Sequence, residues 1–321
     1  MTTAPLLEVV VVTYRSRFEA GAELLGMLDL ASANRALRWT FVDNSEDGLD
    51  AAWLEPLIVS APNVAVVRRP DNPGFAAAVN IVGLESAAEW IVLVNPDVTL
   101  DTESLKRLAD VLRGAPREVA SVAVSLRTRG MLHEGVTFNT AGWFLDRVLE
   151  DAAAGRRAGR SLLLTVAGGR SHLIGPSGGA GAYRRTVFQA AGGFFEGLES
   201  WGEDAELGLR LWLAGHACLG LDLRLPHKGG HSVLDIEIAR RRAFWLARNR
   251  VMIAARLYTL PQMGLFALYA GVIGLARLPA LLRRGTLGAD LAGTRDGLRR
   301  ARTLRAGYAG PRLGLSARRS S

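Results

Sequence analysis

The chain has 321 residues, of which 49% are hydrophobic and 22% are charged, a globular composition that excludes wholesale disorder. Its single cysteine, Cys218, excludes a disulfide framework, a zinc ribbon and a paired-cysteine redox motif. The formal charge of +8 is uneven, because residues 1–239 carry −7 and residues 240–321 carry +15. This asymmetry excludes a nucleic-acid-binding domain spread over the whole chain and indicates a basic C-terminal region that meets an anionic surface.

The first 125 residues alternate between short apolar runs and stretches with helical periodicity. The apolar runs predict strands at Leu7–Thr13, Arg38–Asp43, Val64–Arg68, Trp90–Val94 and 119–125. Helices are predicted between them at residues 18–30, 75–88 and 102–113, the last capped by Asp101 or Thr102. This alternation predicts an α/β fold whose mostly parallel central sheet has helices on its faces and binds ligands beyond the carboxyl ends of its strands.

The pattern changes after the fifth predicted strand. Residues 127–171 have no firm period and predict an insertion of short strands and loops. Order returns at residues 172–183, and a helix is predicted at residues 203–214. We therefore predict one α/β unit over residues 1–233, followed by a helical, Arg-rich C-terminal region over residues 234–321.

Polar segments follow two of the predicted strands. Asp43-Asn44-Ser45 ends the second strand, where a carboxylate can accept hydrogen bonds from a ribose hydroxyl or a base N–H. Asn95-Pro96-Asp97 follows Trp90–Val94 directly, and with a divalent cation an aspartate there would hold a diphosphate. Both segments also suit plain turns. No GxGxxG motif follows the first strand, so a dinucleotide cofactor is not expected.

Two further polar segments lie later in the chain. Glu203 and Asp204 stand at the start of a predicted helix, whose dipole favours the ionised carboxylate and keeps it available as a base. The loop that contains His227 and His231 also has two glycines, which let the backbone approach a phosphate, and histidine is a common metal ligand. Helix capping and an ordinary polar loop are the alternative interpretations of these two segments.

An ordered set of motifs runs through the chain. Its members are Thr13, Asp43-Asn44-Ser45, Asn72-Pro73-Gly74-Phe75 with Asn80, Asn95-Pro96-Asp97, Gly192-Gly193-Phe194, Glu203-Asp204 with Arg210, and His227 with Gly229, Gly230 and Ser232. This set resembles family 2 glycosyltransferases of the GT-A fold, near their bacterial rhamnosyltransferase-like and galactofuranosyltransferase-like branches. The resemblance covers roughly residues 6–258 and implies a Rossmann-like sheet with a C-terminal helical region.

The resemblance implies an inverting transfer of a sugar from a dTDP- or UDP-linked donor to an acceptor hydroxyl in cell-envelope synthesis. It implies a divalent cation, Mg²⁺ or Mn²⁺, held by Asp97, at the second acidic position of the family's D-x-D, and by His227, with His231 as a less favoured substitute. Asp204 matches the catalytic base. The residues it implies around the nucleotide-sugar are Thr13, Asp43, Asn72, Gly74, Asn80 and Asn95.

Three positions depart from the family pattern. Asn95, a weaker ligand than aspartate, stands at the first D-x-D position, and Phe195 replaces the acidic residue of the usual G-G-F-D-E. The glycine expected directly after Asn80 falls at Gly83. The changes at Phe195 and Gly83 affect local detail, such as contacts with the acceptor, and leave the class of enzyme unchanged.

Two other functions compete with glycosyl transfer. A sugar nucleotidyltransferase also uses an α/β sheet and a metal-bound aspartate, but it needs a Gly-rich basic loop after the first strand, and here no glycine follows Thr13 until Gly21. A non-catalytic nucleotide- or carbohydrate-binding protein would tolerate the loss of Asp97 or Asp204, yet both are present. We therefore expect an enzyme that transfers a sugar.

The C-terminal region suggests a membrane surface. Residues 257–276 carry no charge and could just cross a bilayer, but Pro261, interrupting glycines and flanking arginines favour an interfacial or core helix. With the basic end at 277–321, we expect peripheral attachment to an anionic inner leaflet, which suits a polyprenyl-linked or saccharide acceptor. The N-terminus has no basic n-region or cleavage site, so we expect no signal peptide and a cytoplasmic location.

Overall fold

A computed structural model describes residues 4–150, 172–229 and 236–315, and the structural statements below refer to these residues. The strands are β1 (Leu7–Thr13), β2 (Arg38–Asp43), β3 (Val64–Arg68), β4 (Trp90–Val94), β5 (Val119–Thr128), β6 (Met131–Phe138), β7 (Phe144–Glu150), β8 (His172–Gly175), β9 (Ala180–Arg184) and β10 (Ala217–Pro226). The helices are α1 (Gly21–Ala33), α2 (Leu49–Leu54), α3 (Phe75–Gly83), α4 (Thr102–Gly114), α5 (Arg185–Ala190), α6 (Glu203–Leu213), α7 (Ile236–Leu257), α8 (Leu260–Arg283) and α9 (Leu287–Ala306).

These strands form one mixed sheet in the order β3-β2-β1-β4-β9-β5-β6-β7, with β10 beside β5 and β8 beside β6. Strands β1 to β4 pair in parallel, and β9 enters antiparallel between β4 and β5. The direction of winding reverses between β1 and β4, and a crevice forms at the carboxyl ends of the strands where such a reversal occurs. The residues that follow β1 and β4 therefore face a natural binding crevice.

The predicted bounds of the first four strands are confirmed. Their continuous apolar runs are explained by burial on both faces of the sheet. Val9 and Val11 of β1 pack into a core with α1, α2 and α4, whereas Val10 packs on the opposite face with residues of α3, α5 and α6. The helices thus cover both faces of the sheet, as the alternation of strands and helices predicts.

Two predicted helices have other bounds in the structure, since one is displaced by three residues and the other is shorter. The helix predicted at 18–30 begins at Gly21, because the carboxylate of Asp50 accepts a 2.7 Å hydrogen bond from the Ser16 backbone N–H and holds the preceding segment in turns. The helix predicted at 75–88 ends before the segment that turns into β4. In contrast, the predicted cap of α4 is confirmed, since Asp101 accepts a hydrogen bond from a backbone N–H of the first turn.

The sequence did not predict β10 or α9 as separate elements. β10 pairs in parallel with β5. It mixes apolar residues with the exposed Asp222 and Arg224, so the alternation of apolar and polar residues that predicts a strand is weak. α9 contains several glycines, which lower helix propensity. At Gly293 and Gly297, however, a Cβ would lie within 3 Å of α7, so these two glycines let the helices pack closely.

The C-terminal helices share a core with the α/β unit. Ile253 and Leu257 of α7 pack with Phe138 of β6, Trp212 near the end of α6 and Phe266 of α8. The boundary predicted after residue 233 therefore does not separate two hydrophobic cores. In this arrangement α7 contacts residues 198–201, which precede α6. The predicted base, Asp204, lies at the start of α6.

Candidate active site

Three of the four predicted polar segments contribute residues to one cleft of about 700 Å³ at the carboxyl edge of the sheet, whereas Asp43-Asn44-Ser45 and Asp97 are not part of its lining. Its lining includes Asn95 after β4, Asp204 at the start of α6 and His227 after β10, together with Trp201 and Arg250. A second cavity, of about 620 Å³, lies at the amino edge of the sheet and is lined by none of the predicted site residues. The chemistry is therefore concentrated in the first cleft.

Asp97 pairs with His227, which lines this cleft. An isolated bridge between Val98 and His227 holds the segments after β4 and β10 together. Asp97 Oδ1 lies 3.2 Å from His227 Nε2, and Asp97 Oδ2 accepts a 3.1 Å hydrogen bond from the Gly229 N–H. Burial alone would raise the pKa of Asp97, but the hydrogen bond and charge of His227 and the Gly229 amide outweigh it and lower the pKa.

This pair fits a divalent cation shared with a diphosphate. Among the residues that the structure describes, no group of three or more His, Cys, Asp or Glu side chains is arranged so that it could hold a metal ion by itself. Asp97 and His227 supply one carboxylate and one imidazole, both partly exposed, and Asn95 lines the same cleft. Mg²⁺ is usually bound through one or two carboxylates and the substrate phosphates, so a donor set this small suits such a cation. His231 and Ser232 lie outside the described residues.

Asp204 and Glu203 form an acidic pair on another wall of the cleft. Asp204 Oδ2 accepts a 3.0 Å hydrogen bond from the Gly178 N–H, and Oδ1 accepts one of 2.7 Å from Ala205 N–H. Glu203 is buried, and its Oε2 has no hydrogen-bond partner in the described part of the chain. Burial raises the pKa of both carboxyls, and the negative charges of Asp204, next to Glu203, and Asp146, near Asp204, raise them further.

The ends of β1 and β2 carry buried polar atoms. Thr13 Oγ1 and Asn44 Oδ1 are buried and have no hydrogen-bond partner among the described residues. Asp43 is 1% exposed, and its carboxylate accepts hydrogen bonds from the N–H groups of Ser45 at 2.8 Å and Ala51 at 2.7 Å. In this arrangement the Asp43 side chain shapes the loop after β2, and the unpaired atoms of Thr13 and Asn44 are buried at the carboxyl ends of β1 and β2.

The loop after β3 holds the next predicted residues. Asn72 has a left-handed backbone, with φ of 40°, and its amide donates to Glu46 Oε1 at 3.1 Å. Gly74 has φ of 90° and lies against the backbone of Glu199, where a Cβ would stand 2.6 Å from the carbonyl oxygen. Only glycine fits there, so Gly74 brings the loop after β3 close to the segment that precedes α6.

The side-chain amide of Asn80 is fully occupied by other parts of the chain. It is buried in α3, outside the cleft lining, with its Oδ1 accepting from Phe194 N–H at 2.8 Å. Its Nδ2 donates to Phe194 O at 2.9 Å and to Glu196 Oε1 at 2.8 Å. Both ends of the amide are occupied by the chain, so this geometry does not support the predicted contact with the nucleotide. Asn80 instead holds the Gly193-Phe194 loop on α3.

Comparison with known proteins gives the family. The model of "Glycosyl transferase family 2" matches residues 9–189, which is more than half of the chain. The chain belongs to glycosyl transferase family 2. No curated protein sequence matches it.

Solved structures share the fold of this glycosyltransferase. "Mannosyltransferase PcManGT from Pyrobaculum calidifontis in complex with GDP-Man and Mn2+" is 14% identical with a TM-score of 0.54, over 92% of this chain and 88% of that one. "GalNAc-T7 with UDP, GalNAc and Mn2+" is 13% identical with a TM-score of 0.53, over 81% of this chain and 49% of that one. The predicted fold, a GT-A sheet with helices on both faces and C-terminal helices, is confirmed.

The departure at Phe195 has a structural partner in this glycosyltransferase. The guanidinium of Arg256 lies 4.1 Å from the centre of the Phe195 ring, a distance at which a cation and a ring attract each other. Arg256 also pairs with the buried carboxylate of Glu206 at 3.0 Å, and Glu206 accepts a hydrogen bond from Arg210. Arg210 in turn donates to the carbonyl of Gly193. This network fixes the Gly193-Phe194 loop from the side of α6.

The segment before α6 is held by residues that the sequence patterns did not predict. In α7, the buried Asn249 amide donates to the carbonyls of Leu198, Ser200 and Trp201 at 3.1, 2.7 and 2.6 Å. Arg248 donates to the Leu198 carbonyl at 2.7 Å. The signal in the sequence is two adjacent polar residues on the buried side of a predicted helix. We call this set of contacts the α7 clamp.

The clamp holds an unusual backbone. Glu199 and Trp201 have left-handed φ values of 62° and 60°, and both precede Gly202, the N-cap of α6, at φ of 103°. Such conformations in non-glycine residues are uncommon and cost of the order of 1–3 kcal/mol each. The hydrogen bonds from α7 offset this cost and so hold Asp204 in its place.

Removing the clamp is expected to lower turnover. In Asn249→Ala, three carbonyls lose their donor, which should cost about 2–3 kcal/mol in the free energy of unfolding. The same change lets Trp201 relax and displaces Asp204, so we expect kcat to fall at least about tenfold. Urea unfolding and steady-state kinetics measure the two effects.

Asn63 offers a matched control. Its amide also donates to three carbonyls, those of Ala31, Asn34 and Leu37, at the amino edge of the sheet. Asn63→Ala should lose comparable stability and keep kcat. Equal kcat values for the two variants would show that the α7 clamp is structural only.

The acidic pair makes stability depend on pH. Because folding raises the pKa of Glu203 and Asp204, their stabilising contribution is complete below about pH 4, the ordinary pKa of a carboxyl. It is lost as the pH rises through the raised values. Glu203→Gln removes one buried charge, so we expect a Tm at least about 3 °C above the parent at about pH 8 and no difference near pH 4. Thermal melts across this range test this; a lower Tm at high pH would contradict it.

Proposed function

We propose that this glycosyltransferase moves a sugar from a nucleoside-diphosphate donor to an acceptor hydroxyl with inversion at the anomeric carbon. The observation that carries the proposal is one cleft lined by a carboxylate with a raised pKa, Asp204, and by His227, which pairs with the Asp97 carboxylate in an arrangement suited to a cation. The two similar structures, named for complexes with nucleotide or nucleotide-sugar and Mn²⁺, support the donor class and the use of a divalent cation.

Asp204 acts as the general base in this proposal. The N–H groups of Gly178 and Ala205 hold the carboxylate in one orientation at the start of α6. The raised pKa makes the Asp204 carboxylate a stronger base than an exposed aspartate. A general base is most effective when its pKa lies near the working pH. Asp204 accepts the proton of the acceptor hydroxyl as that oxygen attacks the anomeric carbon and the bond to the nucleoside diphosphate breaks. A single displacement of this kind inverts the anomeric centre.

Asp97 and His227 hold the diphosphate side of the donor. A bound Mg²⁺ or Mn²⁺ supplies neutralisation of the negative charge on the leaving diphosphate, which contributes several kcal/mol. The lowered pKa of Asp97 keeps this carboxylate ionised at neutral pH and so ready to bind a cation. His227 is oriented by Thr128, whose Oγ1 lies 3.0 Å from Nδ1 and leaves Nε2 directed at Asp97.

The donor in this proposal is dTDP- or UDP-linked, with rhamnose or galactofuranose as the leading sugars. The support is the motif order that resembles those branches of the family. The acceptor is a saccharide or a polyprenyl-linked sugar of the cell envelope. The residues we propose for the nucleotide are Thr13 and Asn44, which have unpaired buried oxygens at the carboxyl ends of β1 and β2, and the loop of Asn72.

A panel of nucleotide sugars tests this proposal. Thermal shifts with dTDP-, UDP- and GDP-linked sugars, each with and without Mn²⁺, identify the donor. NMR of the product formed with the best donor gives the anomeric configuration. We expect one nucleotide class to stabilise the protein only with the metal, and an inverted product. Retention of configuration, or release of pyrophosphate from a nucleoside triphosphate and a sugar phosphate, would overturn the proposal.

A further inference from the structure

The outward face of α8 is apolar along almost its whole length. Leu268 and Leu275 are 69% and 74% exposed, and Leu260, Val272 and Leu282 are also exposed. No charged residue interrupts the chain between residues 257 and 276. A continuous exposed apolar face of this kind marks an interaction site, because soluble proteins rarely leave such a surface in water.

The inward face of α8 packs on the catalytic unit. Phe266, Ile273 and Leu281 are buried, and the ring of Phe266 stacks on Trp143 with 5.8 Å between ring centres. Gln262 donates to the carbonyl of Thr140 at 3.1 Å. These contacts join α8 to the turn between β6 and β7. The helix therefore has one face in the protein and the opposite face in solvent.

The topology shows that α8 does not cross a bilayer while it is docked. It is long and apolar enough to do so by length and composition alone, with mean hydropathy 1.8. However, it starts directly after α7 and ends beside the start of α7, where Arg240 donates to the Gly285 carbonyl at 3.2 Å. The two ends of α8 thus lie at the two ends of α7. A span would take the arginine-rich α7 through the bilayer as well, which is prohibitively costly.

The outward face of α9 combines leucines with arginines. Exposed residues recur at helical spacing, and these are Leu291, Arg295, Leu298, Arg299 and Arg302. Its opposite side packs on α7 through Gly293, where a Cβ would clash with the Phe244 carbonyl. Arg283 and Arg284, at the end of α8, are also exposed. Apolar and cationic side chains therefore lie on the outer faces of consecutive helices.

We propose that α8 and α9 form a lipid-binding surface that lies in the plane of an anionic bilayer. The leucines of α8 enter the boundary between headgroups and acyl chains, and the arginines of α9 meet lipid phosphates. The charge of +15 over residues 240–321 is complementary to such a surface. This inference goes beyond sugar transfer and does not depend on it.

The surface also lies close to the cleft. Trp143, which stacks on Phe266 of α8, is covered on another side by the guanidinium of Arg250 at 4.3 Å from its ring centre. Arg250 lines the active-site cleft. One aromatic side chain therefore contacts both the membrane-facing helix and a residue of the cleft. If the proposed sugar transfer holds, this proximity suits an acceptor that is anchored in the bilayer.

Vesicle flotation of the full-length protein tests the lipid surface. The probes are phosphatidylcholine vesicles with and without about 30 mol% phosphatidylglycerol, at low and high salt. Binding should require the anionic lipid and weaken in salt. Leu268→Glu with Leu275→Glu should weaken it at least about tenfold at both salt concentrations, since it removes the salt-independent apolar contribution. Arg295→Gln with Arg302→Gln should weaken it about fivefold per arginine at low salt and little at high salt.

Two controls separate this surface from other causes. Leu57 and Val59 are exposed leucine and valine residues near β3, and changing both to glutamate should leave flotation unchanged. Nucleotide binding is measured for every variant to check that it is folded. We expect it to be unchanged, because the substituted leucines of α8 face solvent and do not pack in the core.

Three outcomes overturn the proposal. The first is that the parent protein does not float with either type of vesicle. The second is that it floats and resists extraction by alkaline carbonate, which would show a membrane span. The third is that the parent elutes as a dimer in lipid-free buffer and that the double variant Leu268→Glu with Leu275→Glu elutes as a monomer. This result would show that a second copy of the chain covers the apolar face.

Discussion

Asp204→Asn is expected to lower kcat by at least about 10²-fold and to leave nucleotide binding within a fewfold of the parent. Asparagine keeps the shape of the side chain and can still accept the hydrogen bond from Gly178, which Asp204 now receives through Oδ2. It cannot take a proton at neutral pH. The loss therefore falls on the chemical step. Single-turnover kinetics and calorimetric titration of the nucleoside diphosphate measure the two quantities separately.

Glu203→Gln is the matched control for this prediction. Glu203 is the neighbouring carboxylate, but it is buried and its Oε2 has no partner within the described residues. We expect Glu203→Gln to retain most of the activity and to leave the acid limb of the pH–rate profile nearly unchanged, because burial and the charge of Asp146 raise the pKa of Asp204, whereas Glu203, with the higher pKa, is neutral while Asp204 titrates. A dead Glu203→Gln and an active Asp204→Asn would reverse the assignment of the base.

The second large effect concerns the cation. Asp97→Ala should abolish the difference in donor affinity between Mn²⁺ and EDTA, and it should weaken metal-dependent binding at least about 10²-fold. The reason is that Asp97 provides the carboxylate of a pair with His227, whose atoms lie 3.2 Å apart. Isothermal titration with each metal, and with chelator, measures the difference. Unchanged affinity after chelation of the parent would show that basic side chains neutralise the diphosphate instead.

A nearby carboxylate gives the control for Asp97. Asp101 caps α4 just beyond the same loop and, unlike Asp97, makes no contact with His227 among the described residues. Asp101→Ser removes the charge and keeps a capping hydroxyl, so it should leave both the metal response and the stability almost unchanged. Thr128→Val, which removes the Oγ1 beside His227 Nδ1, should weaken metal-dependent binding by a smaller factor than Asp97→Ala.

The strand ends were predictable because parallel β pairing makes them converge. Thr13, Asp43 and Asn95 each follow an apolar run whose bounds the structure confirms, and strands of a parallel sheet deliver such residues to one edge. Asp204 and His227 come from a helix start and a strand end elsewhere in the chain, and they line the same cleft as Asn95. The order of motifs along the chain predicted that these residues share one site, which local periodicity alone did not.

Other parts of the site depend on contacts that no short pattern contains. Asn80 looks like a ligand residue in the sequence, but its partners are backbone groups more than a hundred positions later. Phe195 looks like a lost acidic residue until Arg256 is found over its ring. Asn249 sits in an ordinary helical stretch, and its importance depends on which carbonyls tertiary packing brings to it. Such roles follow from long-range packing, which single-sequence reasoning does not supply.

The α7 clamp has a consequence for deletion mapping of this enzyme. A fragment that stops before residue 248 keeps every motif residue from Thr13 to His227, yet it lacks the side chains that hold Leu198 and Trp201 ahead of the catalytic helix. Such a fragment would score as inactive, and the loss would be assigned to the deleted helices as if they carried catalytic groups. Full-length point variants avoid this misassignment, because they distinguish the loss of the catalytic carboxylate in α6 from the loss of the α7 side chains that position it.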